Sequence, residues 1–212
     1  MMFLAWNEIK KNKLRFTLIT GVLMLVSYLV FFLSGLASGL ENLNREAVDK
    51  WEATAIVVTE EADKSMPQSS MTLGDVDDIT ADDIAVIGQL NAIATNGDKK
   101  ANVSIFGIEK DQFIMPEVSE GDEFANDNEV IASDALKEDG FKLGDELKLS
   151  STDETLTIVG FTEGARFNAA PVLYGDLASF QRVKFGDAAG ENKDQINGVV
   201  LRTKNLSNVT DI

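Results

Sequence analysis

Carboxylates are the most abundant reactive side chains in this sequence. Asp75, Asp77, Asp78, Asp82 and Asp83 crowd one stretch, and Asp122, Glu123, Asp127 and Glu129 crowd another. Hard cations such as calcium take carboxylate oxygens. Neither run keeps the EF-hand spacing, which needs a glycine at the sixth position and a glutamate at the twelfth, so both read as solvated chain, the first as the start of a helix. The sequence has no histidine and no cysteine. That removes cysteine–histidine zinc sites, a serine–histidine triad and histidine-ligated haem from within the chain. No Gly-x-Ser-x-Gly, Walker A or dinucleotide pattern occurs. The expectation is a protein that is not an enzyme and holds no resident cofactor or metal.

The elements that would position these residues are organised around Phe16 to Leu40, an uncharged apolar run. At 1.5 Å per residue a helix of this length crosses the roughly 30 Å hydrocarbon core, and it exceeds the usual hydrophobic segment of a signal peptide. Before it, Lys10, Lys11, Lys13 and Arg15 stand against Glu8, a leader of net charge +3. The whole chain carries −16, so the part beyond the span carries −19. The positive-inside rule then puts the N-terminus in the cytoplasm and the acidic part outside. Such a part would repel nucleic acid. Residues 1–15 read as a basic leader with a loosely amphipathic helix on the inner surface, Trp6 at headgroup level. Within the span, Gly35 and Gly39 have the small-xxx-small spacing that lets another helix approach. Tyr28 sits mid-span, where its hydroxyl would want a protein partner.

Residues 41–52 read as a helical stalk, with Leu43, Ala47, Val48 and Trp51 at helical spacing and Trp51 seating it on the outer domain. Residues 53–203 mix strands and helices, an α+β domain. Ala53–Thr59 is predicted as a strand and Glu60–Gly74 as a loop. Asp77–Gly88 is predicted as a helix capped by Thr80, followed by a strand over Gln89–Thr95. Asn96-Gly97 is a hairpin turn returning through Ala101–Ile108. Further strands are predicted at Glu129–Ala132, Glu146–Ser150, Leu156–Thr162, Pro171–Tyr174 and Ile196–Thr203. Ser133 and Asp176 are predicted to cap short helices, and Gly160 marks a bulge or a close approach. Residues 204–212 read as the opening of a second stalk or membrane helix.

Three stretches together resemble the MacB/FtsX-type ABC transporter permeases. LAWNEIKKNKLRFTLITGVLMLVSYLVFFLSGLASGL is similar to the family's cytoplasmic helix, basic Asn12-Lys13-Leu14-Arg15 step and first membrane helix. NEVIASDALKEDGFKLGDELKL followed by TIVGFT is similar to the most specific run of its outer domain, and PVLYGDLASFQ to the strand and helix that follow. The resemblance implies a MacB-like core domain carried on an N-terminal transmembrane helix. It implies a permease that pairs with a second copy of itself and with a cytoplasmic ABC ATPase, whose closure passes through the first helix and stalk. It also implies three further membrane helices after the outer domain, so a longer protein is expected. Within the family, the small Gram-positive permeases resembling haem exporters and the DevC group are the nearest in appearance. If haem is the substrate, Tyr174 and Tyr28 are the plausible oxygen ligands and Met24 a soft one. The alternatives are an FtsX-like relay controlling a cell-wall hydrolase, and a membrane-tethered binding protein.

Overall fold

The computed structural model describes residues 10–204, so Trp6 and the stretch 205–212 lie outside the described residues. The chain divides into two compact units, residues 1–42 and 43–212.

In the first unit the described chain is helix. Helix α1 runs Lys13–Asp49 and carries its exposed apolar side chains from Leu14 to Leu40. Among the described residues it is the one helix long and apolar enough to cross a membrane, with a mean hydropathy of 2.4 over its most apolar window. Its last residues, from Leu43, belong to the second unit. There α1 runs into a turn that ends on the left-handed Glu52, at φ 49°.

The second unit is α+β. Strands β1 (Ala55–Val57), β2 (Met71–Thr72), β3 (Asp83–Asn96), β4 (Lys99–Ile108), β5 (Glu120–Gly121) and β6 (Glu129–Ser133) come first. Then follow β7 (Glu146–Leu149), β8 (Thr155–Thr162), β9 (Arg166–Phe167), β10 (Ala170–Asp176), helix α2 (Leu177–Phe185), β11 (Gln195–Ile196) and β12 (Gly198–Arg202). The main sheet runs β1-β12-β3-β4-β10-β6-β8-β5. Strand β7 pairs with both β3 and β8, which closes β3, β4, β10, β6, β8 and β7 into a ring. Closure removes the free edges that such strands would otherwise present. The ring interior is filled by Ala92, Val103, Ile105, Phe141, Leu147, Ile158 and Leu173 among others. Side chains alternate along a strand, so the neighbouring Phe106, Ile131, Val172 and Tyr174 lie on the opposite face in a second core cluster.

Strand β3 serves both halves of the unit. Its end beyond Gly88 belongs to the ring, while Asp83–Ile87 pairs with β12, which in turn pairs with β1. Helix α2 closes the junction. Gly88 and Gly107 face each other across β3 and β4, and a Cβ on either would lie 2.2 Å from an atom of Phe180. The two glycines therefore form the socket for that ring. Asp176 caps α2 by accepting from the Ala178 N–H at 3.0 Å, and Ser133 accepts from the Ala135 N–H at 3.3 Å at the start of a single 3-10 turn. Gly160 sits beside the register shift between β6 and β8, where an added Cβ would meet the Asp122 carbonyl at 2.4 Å.

Two predicted elements are corrected. Asp77–Gly88 is not a helix: a 3-10 turn covers Leu73–Asp78 and β3 begins at Asp83. The capping pair is Thr72 and Asp75, whose carboxylate accepts from the Thr72 N–H at 2.7 Å and hydroxyl at 2.9 Å. Ile84, Val86 and Ile87 are β-branched, and pairing with β12 and burial decide their state. Second, Ile196–Thr203 is not one strand. Buried Asn197 breaks it, because its Oδ1 accepts from the Gln89 N–H at 2.9 Å and its Nδ2 donates to the Ser69 carbonyl at 2.7 Å.

Candidate functional site

The end of α1 is held by the domain through three kinds of contact. The first is apolar. Ala47 is fully buried and Trp51, in the turn that follows the helix, is 3% exposed, both within the core cluster that holds Phe106 and Tyr174. The Trp51 ring packs 5.6 Å from that of Phe106, which meets Tyr174 and Phe167 edge-on at 5.6 and 5.3 Å. Edge-to-face aromatic packing at these separations is favourable beyond the area it buries.

The second contact is a hairpin tip. Strands β9 and β10 are joined by Asn168 and Ala169, both left-handed at φ 50° and 64°. A two-residue turn with both φ values positive matches the twist of antiparallel strands, although an alanine there is strained. The tip turns its backbone toward α1: the Asn168 N–H donates to the Asn44 carbonyl at 3.1 Å and the Ala169 N–H to the Leu43 carbonyl at 3.2 Å. The third contact is polar. Lys50 donates to the Glu163 carbonyl, and a Cβ on Gly164 would lie 3.0 Å from a Glu46 carboxylate oxygen. Arg202, at the end of β12, donates to the Trp51 carbonyl at 2.8 Å and lies 4.4 Å over the Phe113 ring.

Tyr174, a candidate haem ligand on sequence grounds, lies within this cluster at 1% exposure. Burial pushes its hydroxyl pKa well above the ordinary phenol value, against a smaller opposite pull from the Trp51 indole, while the Glu46 carboxylate adds to the rise. Its phenol is covered, and a ligand would reach it only after Trp51 and Phe106 moved. Tyr28 and Met24 are 66% and 75% exposed on α1, with Tyr28 stacked on Phe32. Gly35 and Gly39 lie on the exposed wall of α1, with nothing within 4 Å of an added Cβ. Lys10, Lys11, Lys13 and Arg15 are exposed. In the second acidic run Glu129 accepts from the Ala125 and Asn126 N–H groups, which hold its carboxyl below the usual range, and Asp127 pairs with the distant Arg182 at 2.9 Å.

Beside the α1 end runs a groove of about 580 Å³ between the helix, β1, β9 and the 63–67 loop. Val48, Ile56, Val58, Met66 and Phe167 give it an apolar lining, and Arg45 and Lys64 are its cations. The hairpin tip, Arg202 and this groove were not visible to sequence reasoning. The one local signal was Asn168, a residue that tolerates the left-handed region. Taken together, the site consists of aromatic packing, backbone hydrogen bonds and cations, parts suited to passing on a displacement or holding a ligand.

The model of the family described as MacB-like periplasmic core domain matches residues 17–212. The hemin transport system permease protein HrtB of Staphylococcus epidermidis is 26% identical over 85% of this chain and 51% of its own length. HrtB of Staphylococcus haemolyticus is 21% identical over 92% of this chain and 56% of its own. The chain thus spans about half the length of the curated relatives it matches. Among solved structures, the periplasmic region of MacB from Actinobacillus actinomycetemcomitans aligns with a TM-score of 0.52 and 13% identity over 71% of this chain and 74% of that one. The extracellular domain of the ABC-type transporter YknZ from Gram-positive bacteria aligns at 0.51 and 13%, over 72% and 83%. At these identities the structural likeness is one of fold.

Proposed function

The chain belongs to the family of MacB-like periplasmic core domains of ABC transporter permeases, and from that premise we propose that it couples a cytoplasmic ATPase to substrate export through the joint at the end of α1. In this reading the N-terminus is cytoplasmic, the domain is outside a Gram-positive membrane, and the working unit contains two permease copies. The chain itself is not an enzyme: ATP hydrolysis belongs to the partner. The staphylococcal relatives named for hemin transport support haem as the exported compound.

The observation that carries the proposal is the double hold on the α1 end. Trp51 is buried in the aromatic cluster while the hairpin tip bonds the Leu43 and Asn44 carbonyls. A helix fixed by packing alone could rotate or slip against the sheet; backbone bonds at a second point resist both. Movement of α1 would therefore reach β10, and through it the ring.

The test is haem tolerance and efflux in cells expressing the full-length permease with its ATPase. Ala169→Pro removes the latch N–H and cannot adopt the required φ, and Trp51→Ala empties the aromatic seat. Both variants are expected to lower efflux at least about tenfold, with membrane levels and basal ATP hydrolysis retained. Normal efflux from both, at normal protein levels, would overturn the coupling role.

A further inference from the structure

We infer that the groove beside the α1 end binds a flat apolar dianion of the porphyrin type, with its ring on Val48, Ile56, Val58 and Phe167 and its carboxylates at Arg45 and Lys64. The inference rests on the export reading only for its choice of porphyrin; the groove's chemistry is independent of it.

The charge distribution singles this place out. The chain beyond the span carries −19, yet no carboxylate lines the groove, and both charged side chains that do are cations. Arg45 shares its charge with Asp49 one turn on, at 3.0 Å, with both exposed, and such a surface pair costs little to reorganise. Lys64 is exposed and left-handed at φ 64°, following the left-handed Asp63. The loop that carries it is tied at its far end, where Ser69 accepts from the Thr59 N–H at 3.0 Å and Asn197 holds the Ser69 carbonyl. The cations are therefore presented from two independent supports, the helix and an anchored loop.

The apolar side is equally built. Val48, Ile56, Val58 and Phe167 are only partly buried and pack against the Trp51–Phe106–Tyr174 cluster, and Met66, 6% exposed, also lines the groove. A volume of about 580 Å³ falls within the range of small-molecule sites, roughly 300–1,000 Å³. A ligand satisfying both halves needs an extended apolar body with acidic groups at its margin.

The experiment uses the 212-residue chain in micelles of a neutral detergent, with protoporphyrin IX as probe and fluorescence anisotropy as readout. Lys64→Glu and Arg45→Gln are compared with the unsubstituted chain, with matching thermal midpoints as the control for folding. Lys64→Glu is expected to weaken binding about tenfold and Arg45→Gln several-fold, while the dimethyl ester of the probe binds all three alike. Equal affinity in all three chains, or an ester that keeps the Lys64 dependence, would overturn the site. Loss of the Lys64 dependence when phosphatidylglycerol is added at the probe's concentration would assign the groove to a lipid headgroup and equally overturn it. The two proposals fail separately: unchanged efflux in both Ala169→Pro and Trp51→Ala removes the coupling role and leaves the groove, whereas unchanged porphyrin affinity removes the groove and leaves the coupling role.

Discussion

The Ala169 backbone N–H donates to the Leu43 carbonyl across 3.2 Å, from a residue held at φ 64°. An alanine sits there in the region that glycine prefers, so the bond depends on a conformation its own side chain disfavours. Replacing Ala169 by glycine keeps the N–H and removes that penalty, and is expected to stabilise the domain by up to about 1 kcal/mol. Replacing it by valine, which is β-branched, is expected to cost about 1–3 kcal/mol. Thermal or denaturant unfolding of the solubilised chain distinguishes the two.

Gly88 and Phe180 occupy each other's space: a Cβ on the glycine would lie 2.2 Å from Cε1 of the Phe180 ring. Gly88→Ala is expected to destabilise by about 1–3 kcal/mol through overpacking, and Phe180→Ala by about 3–5 kcal/mol through the cavity it leaves. The double variant should cost less than the two added together, because the new methyl enters the space the ring vacated. Additive losses in a double-mutant cycle would contradict the socket.

The Tyr174 hydroxyl, raised by burial, should govern stability at alkaline pH. A group whose pKa is raised by folding contributes its full stability below the unfolded value, near 10 for a phenol, and loses it as pH rises beyond that. Tyr174→Phe is therefore expected to flatten the alkaline decline in the unfolding midpoint while changing it by less than about 1.5 kcal/mol at pH 7. An ultraviolet phenolate titration should show one tyrosine ionising only as the domain unfolds.

Asp145 works on the acid side. Its carboxylate accepts from Lys99 Nζ at 2.6 Å and from the Lys142 N–H at 3.0 Å, and these donors hold its pKa below the usual range, with the Lys99 bond contributing most. A depressed carboxyl contributes its stability above the unfolded pKa, near 4, and loses it as pH falls through the folded value. Asp145→Asn should lower the midpoint at pH 7 and reduce the further loss between pH 5 and 3. Equal acid sensitivity in the two chains would show that the pair contributes nothing.

The readable parts of this structure were those whose causes are local. Ser133 and Asp176 cap their turns through their own side chains, the Asn96-Gly97 signal falls on a hairpin whose two loop residues are Gly97 and Asp98, and the uncharged run in α1 carries its own length requirement. Asp77–Gly88 misled because threonine and aspartate at helical spacing mimic a cap, whereas the state of Ile84–Ile87 is set by β12, more than one hundred residues later. The latch was hidden for a different reason. It consists of main-chain groups, which any residue supplies, and only the path of β9 and β10 brings them to Leu43 and Asn44. The groove likewise needs three distant segments, so Arg45 and Lys64 look like ordinary surface charges until the chain is folded. Tyr174 drew attention by residue type, and burial has made it structural support in this state.

Strands β1 and β12 lie side by side, with the Thr54 N–H bonded to the Leu201 carbonyl at 2.8 Å. The polypeptide thus enters and leaves the main sheet through neighbouring strands, so a pull on either is shared with the other through the pairs from Ala55–Leu201 to Val57–Val199.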